Sequence, residues 1–155
     1  MATIHARLER AGLTLPEPPA ALASYVPAIS VSAGRLVYVS GQTPMKDGAP
    51  ILTGRVGHEV SLEEAQSCAR QCALQGLSAL EAEIGDLERL RGVVKLEGFV
   101  ACDHTFTQHP QVINGASDLL EELLGESGRH ARAAVGVPSL PLGVPVEIAF
   151  TFVVD

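Results

Sequence analysis

The sequence predicts an α+β fold, a mixed β-sheet with two helices packed on one face, and three observations carry that prediction. Residues 61–84 and 110–124 repeat apolar side chains at three- and four-residue steps, the helical period. Residues 35–40, 92–102, 131–137 and 145–153 are rich in β-branched and aliphatic side chains, as strands are. With a short strand at 51–53, the elements run β-β-α-β-α-β-β, an order that two packed layers accommodate. The 155 residues suffice for one domain, read as 23–155 behind an N-terminal arm at 1–22.

Each element has its own local cause. Residues 1–12 have the pattern of a short helix stopped by Gly12, and the proline-rich stretch at 13–20 is extended. Arg35-Leu-Val-Tyr-Val-Ser40 reads as a strand that Gly41-Gln-Thr-Pro44 breaks. Lys46-Asp-Gly48 is a turn signal, from which Ile51-Leu-Thr53 would pair back. Ser61-Leu-Glu-Glu64 fits a capping box opening the first helix, and Gly85 supplies its stop. Much of that helix's inner stripe is small (Ala65, Cys68, Ala69, Cys72, Gly76), so its axis is expected to lie close against strands. The second helix has Pro110 in its first turn, an apolar side of Val112, Ile113, Ala116, Leu119, Leu120, Leu123 and Leu124, and Gly125 behind it. Pro138-Ser-Leu-Pro-Leu-Gly143 is a tight loop between the last two long strands.

Composition excludes several classes of function. The net charge of −7 and the 4% aromatic content argue against nucleic acid, which needs a basic surface and often stacking rings. No stretch of about 18 apolar residues is present, so no membrane span is expected. The polar start Met1-Ala-Thr-Ile-His-Ala-Arg does not read as a secretory leader, and the expected location is cytoplasmic. Three cysteines, Cys68, Cys72 and Cys102, are too few for a disulfide scaffold and are expected as reduced core thiols. Cys68 and Cys72 share a helix face but lack further zinc ligands, so no metal is expected there. Cys102-Asp-His104 at a strand end could bind metal or carry a reactive thiol, and is more simply a solvated terminus.

The last two strands carry the most functional information. In the final strand Val146, Ile148, Phe150 and Phe152 share one face, expected to lie under the helices, while Glu147, Ala149, Thr151 and Val153 share the other. In the strand before it, Ala133, Val135 and Val137 suit the core, which would turn Arg132, Ala134 and Gly136 outward. Along the 92–102 strand, Val93, Lys95, Glu97, Phe99 and Ala101 fall on the parity of that outer face. Arg132 and Glu147 are thus expected together on a half-apolar face that a second copy of the protein would cover. A guanidinium in a recess beside Ala134 and Gly136 suits a carboxylate ligand. A structural interface ion pair between Arg132 and Glu147 satisfies the same pattern.

Several separated segments resemble the RidA/YjgF family. They are Gly128-Arg-His-Ala-Arg-Ala-Ala-Val-Gly-Val-Pro-Ser-Leu-Pro-Leu-Gly143 with Val146-Glu-Ile148, Tyr38-Val-Ser-Gly-Gln-Thr-Pro44, Tyr25-Val-Pro-Ala28 and Val112-Ile-Asn-Gly115. The resemblance runs from about residue 23 onward and implies a chorismate-mutase-like fold and a homotrimer with clefts between subunits. It implies hydrolysis of reactive enamine and imine intermediates of the 2-aminoacrylate type to a 2-oxo acid and ammonia, without cofactor or metal. On this reading Arg132 binds the ligand's carboxylate and Glu147 orients or activates water. Tyr25, Ser40 and Asn114 line or support the cleft. Ala133 and Ala134 stand where the better-known branch has polar or cysteine residues, and His130 could touch the ligand. A non-catalytic trimeric binder of small carboxylates and 2-oxo acids is the alternative, and an endoribonuclease or translation inhibitor a further one.

Overall fold

The fold follows from how these segments hide their apolar faces. The computed structural model describes residues 34–155, so Tyr25, the expected helix at 1–12 and the rest of the arm lie outside the described residues. The strands are β1 (Arg35–Gln42), β2 (Met45–Lys46), β3 (Ala49–Pro50), β4 (Leu90–Ala101), β5 (Ala131–Val137) and β6 (Val146–Val154); the helices are α1 (Leu62–Ile84) and α2 (His109–Leu124). Four strands form one sheet in the order β1-β6-β4-β5, and β2 and β3 form a separate hairpin. β4 and β5 run parallel, while β6 is antiparallel to both β1 and β4, so the sheet is mixed as expected.

The helix boundaries are where the caps put them. Ser61 Oγ accepts from the Glu64 amide and Glu64 Oε2 accepts from the Ser61 amide at 2.8 Å, completing the capping box. Those bonds hold the Glu64 carboxyl below its ordinary range. Gly85 ends α1 in the left-handed conformation (φ 82°). The small-residue stripe does bring α1 against the sheet, because a Cβ on Gly76 would come within 2.7 Å of the Phe150 ring. Gly98 serves α2 the same way, its Cα facing Ile113 at a distance no side chain could share. Phe152, Leu80, Leu96, Ile113, Leu120 and Ile148 are fully buried in the resulting core, each contributing about 1.5–3 kcal/mol.

The structure departs from the sequence reading in four places. The short strand after the turn is Ala49–Pro50, not 51–53. Asp47 and Gly48 both take positive φ (52° and 81°), and this two-residue turn fixes the pairing of Lys46 with Ala49. Val93 is fully buried rather than outward, because the register of β4 against β6 shifts between Val93 and Lys95 and changes the parity there. Leu123 is 54% exposed and stands off the apolar side of α2.

The fourth departure reaches the site. Parallel pairing sets Arg132, Ala134 and Gly136 level with Leu96, Gly98 and Val100, the helix-facing residues of β4. Arg132 therefore faces α2, and Val135 stands 46% exposed on the open face instead. The expected common face for Arg132 and Glu147 is not formed. β5 is an edge strand, and the rim of its inner side is filled by polar atoms and an imidazole of α2, which an aliphatic-inward rule does not anticipate.

Candidate functional site

Arg132 emerges from the start of β5 and reaches across to the first turns of α2. Its Nη1 donates to Ser117 Oγ at 2.9 Å, and its Nη2 to Asn114 Oδ1 at 2.8 Å and to the Pro110 carbonyl at 3.2 Å. Asn114 and Ser117 are three residues apart and so share one face of α2. The Pro110 carbonyl is turned to the same side. These three acceptors orient the guanidinium. The side chain is half-buried between strand and helix. Asn114 thus falls beside Arg132.

His130 is not at a surface where a ligand could touch it. It is 1% exposed and lies behind Ser117, itself 1% exposed. The His130 Nδ1 lies 2.6 Å from the Gly128 carbonyl and the Nε2 3.0 Å from Ser117 Oγ. A carbonyl only accepts, so Nδ1 carries the proton and donates to it. Nε2 is then the acceptor for the Ser117 hydroxyl, whose remaining lone pairs face Arg132. Burial first, and the neighbouring Arg132 charge after the Gly128 bond, set the imidazole's behaviour: its pKa is lowered and the neutral form is held. Ser117 was missed from sequence. The signal available was its place in α2, a polar residue on the buried side of an apolar helix.

Glu147 lies on the open face of the sheet, at the start of β6. Its carboxylate folds over the backbone of Gly41, where any Cβ would overlap Oε1. Gly41 sits in an irregularity of β1, since Val39 pairs with Phe150 but the next partner pair is Gln42 with Ile148. Ser40, in the same irregularity, is exposed beside it. Gly41, next in the chain to Ser40, is thus the residue that lets the Glu147 carboxylate lie against β1. Arg132 is remote from both: β4 lies between β5 and β6, which alone puts about 10 Å between those strands, and the two side chains project from opposite faces. Ala133 is exposed on the open face and Ala134 half-buried under α2, so only Ala134 adjoins the Arg132 side.

A separate pocket of about 380 Å³ lies where β4 and β5 end, lined by Cys102, Asp103, His104, Phe106, His109, Gly136, Val137 and Pro138. Cys102 Sγ is 3.4 Å from His109 Nε2, and the Phe106 ring meets His109 edge-on. Burial raises the Cys102 thiol pKa, with the Asp103 charge adding to it, so the geometry does not produce a thiolate. Cys68 and Cys72 are core thiols, as expected, and burial pushes Cys68 up to about 11 and Cys72 further. Among the described residues no cluster of three or more His, Cys, Asp or Glu is placed to hold a metal ion. No helix among them is long and apolar enough to cross a membrane.

Residues 5–153 match the family model described as "YjgF/chorismate_mutase-like, putative endoribonuclease". The chain is 44% identical over 146 residues to Protein TCP17 of Trypanosoma cruzi, covering 94% of this chain and 90% of that protein. Among solved structures it is similar to Atu1372 of Agrobacterium tumefaciens, with 46% identity, 96% and 90% of the two chains covered and a TM-score of 0.77. It is also similar to a protein of Shewanella oneidensis, with 33% identity, 99% and 100% covered and a TM-score of 0.74. A match across almost the whole chain, joined to a four-stranded mixed sheet with two helices on one face, makes this protein a member of the YjgF/RidA family.

Proposed function

We propose that the protein hydrolyses small enamine or imine acids of the 2-aminoacrylate type in clefts between the subunits of a homotrimer. The observation that carries this reading is the division of the site. Arg132, with Asn114, belongs to the β5 edge of the sheet. Glu147, Gly41 and Ser40 belong to the opposite side, on β6 and the β1 edge. One protomer cannot bring the two halves together, but the β5 edge of one copy set beside the β1–β6 side of the next can. The open face offers the apolar surface for that contact, with Leu36 (41% exposed), Tyr38 (75%) and Val135 (46%). A two-fold pair would join like surfaces, whereas unlike surfaces meeting head to tail close into a ring when the rotation between copies closes, as the proposed trimer requires.

In such a cleft the positive charge of Arg132 holds the substrate carboxylate. The Glu147 carboxylate of the neighbouring copy accepts a proton from water as the oxygen attacks the imine carbon. The enamine reacts as its imine tautomer; the carboxylate returns the water proton to the nitrogen to give the carbinolamine, whose hydroxyl proton then passes to the same nitrogen as the C–N bond breaks, releasing ammonia and the 2-oxo acid. The imine carbon is already electrophilic, so holding anion and water in line supplies the acceleration.

Mixing two inactive variants tests the division. Arg132→Ala and Glu147→Gln are each expected to lose ammonia release from enzymatically generated 2-aminoacrylate. Co-expressed in equal amounts, they assemble randomly, and about a quarter of the clefts then pair an intact Arg132 with an intact Glu147. Recovery of roughly that fraction of wild-type activity is the expected result. No recovery in mixed oligomers would overturn the two-chain site, and full activity of Arg132→Ala alone would overturn the reading altogether. Binding of a 2-oxo acid that needs Arg132, with no turnover, would identify a carboxylate binder instead.

A further inference from the structure

We propose that Ser117 and His130 are positioning residues that fix the direction of the Arg132 guanidinium toward a carboxylate ligand, an inference that rests on the function proposed above. The argument begins with the hydroxyl. A serine on a helix ordinarily turns its proton back to the carbonyl four residues earlier, and its lone pairs then point where the helix dictates. Here the proton has a different destination. His130 Nε2 lies 3.0 Å from Ser117 Oγ, and the imidazole is committed as its acceptor because Nδ1–H is spent on the Gly128 carbonyl at 2.6 Å. With the proton drawn toward β5, a lone pair of Oγ faces Arg132 Nη1 at 2.9 Å.

The reverse arrangement is unfavourable at both ends. An imidazole protonated on Nε2 would set the lone pair of Nδ1 against the Gly128 carbonyl oxygen. A doubly protonated ring would add a second positive charge beside Arg132 in a site that excludes water, since Ser117 and His130 are each 1% exposed. The chain from the Gly128 carbonyl through His130 and Ser117 to Arg132 therefore has one direction. Asn114 Oδ1 and the Pro110 carbonyl hold Nη2, and the serine holds Nη1. Holding both nitrogens fixes the plane of the guanidinium and so removes side-chain freedom that would otherwise be lost when an anion is drawn to its charge. The cost of ordering is met in folding, so the ligand does not bear it.

The experiment compares an acid with its uncharged analogue. Pyruvate and methyl pyruvate are titrated calorimetrically into wild type, Ser117→Ala, Ser117→Thr, His130→Leu, His130→Gln and Arg132→Ala. Thermal melts confirm folding. Ser117→Ala and His130→Leu are expected to weaken pyruvate about tenfold and to leave methyl pyruvate unchanged, with KM for the imine substrate raised about tenfold and kcat within twofold. Ser117→Thr, which keeps a hydroxyl, and His130→Gln, which keeps an acceptor near Nε2, are expected to restore most of the loss.

Folded Ser117→Ala and His130→Leu proteins that bind pyruvate like wild type would overturn the inference. So would an equal loss for acid and ester, the mark of a purely structural role. If Ser117→Ala does not fold, the contrast between His130→Gln and His130→Leu decides alone. Arg132→Ala separates the two levels of the argument. If it binds pyruvate normally, the carboxylate site itself fails; if it loses pyruvate while Ser117→Ala and His130→Leu do not, only the positioning role fails.

Discussion

Replacing Gly41 by alanine separates the site from the fold more cleanly than any substitution of a charged residue. Gly41 does not take a positive φ, so an alanine there meets no backbone strain. Its Cβ would land on Oε1 of Glu147, and the carboxylate would have to retreat about 1.5 Å to reach ordinary van der Waals contact. The obstructed group is the end of a flexible side chain on the open face, so stability should change by less than about 1 kcal/mol. Catalysis has no such latitude. A misplacement of about 1 Å in a reacting group costs on the order of 100-fold, which corresponds to about 2.7 kcal/mol of barrier. Gly41→Ala is therefore expected to lose about 100-fold in ammonia release from 2-aminoacrylate while melting within a few degrees of wild type. Glu147→Gln should lose at least as much, and the double variant no more than Glu147→Gln alone, since both act through one group. A Gly41→Ala protein that keeps its rate within threefold would refute the placement of Glu147 at the reacting atoms.

Three other outcomes follow from the packing and the titrating groups. Gly115→Ala would drive a Cβ into the backbone carbonyl of Gln66 where α2 crosses α1; backbone cannot yield as a side-chain end does, and a loss of about 3 kcal/mol or more is expected by denaturant unfolding. His130 has a lowered pKa in the folded protein, so below about pH 6.5 the unfolded chain takes up a proton that the folded one refuses. Stability should then fall as pH drops from 6.5 through the lowered value, and His130→Gln should flatten that part of a melting-temperature profile. Among the thiols, Cys102 is 7% exposed at the rim of a pocket, whereas Cys68 and Cys72 are 1% and 0% exposed. Iodoacetamide followed by peptide mass mapping should mark Cys102 first, and because its pKa is raised the labelling rate should still climb above pH 9.

The two helices and the four long strands were legible because each carries a strong period and its own punctuation, such as the Ser61–Glu64 box and Gly85. What the period could not supply was direction at a sheet edge. Alternation along β5 separates Arg132, Ala134 and Gly136 from Ala133, Val135 and Val137 correctly, and aliphatic character then assigns the two sets to the wrong faces. The informative residue was Gly136. A Cβ there would come within 2.6 Å of His109 Nε2 and 2.9 Å of Cys102 Sγ, so a helix had to pass over that side. The burial of Val93 was hidden for a different reason, since a register shift between partner strands leaves no mark in one strand's own sequence. Arg132, Glu147, Ser40 and Asn114 were singled out as site residues through resemblance to a family pattern. The link from His130 through Ser117 to Arg132 was not legible, because it joins residues 13 and 15 positions apart across a helix-to-strand connection.

The placement of β6 bears on how the chain acquires its shape during synthesis. This strand lies between β1 and β4 and is hydrogen-bonded to both, yet it follows them in the chain. Until residues 146–154 leave the ribosome, β1 has no neighbour in the main sheet, and β4 can zip only to β5. The nascent polypeptide therefore carries two helices and unpaired strand edges until the piece that unites them arrives, and edges of that kind invite wrong pairing in the interval.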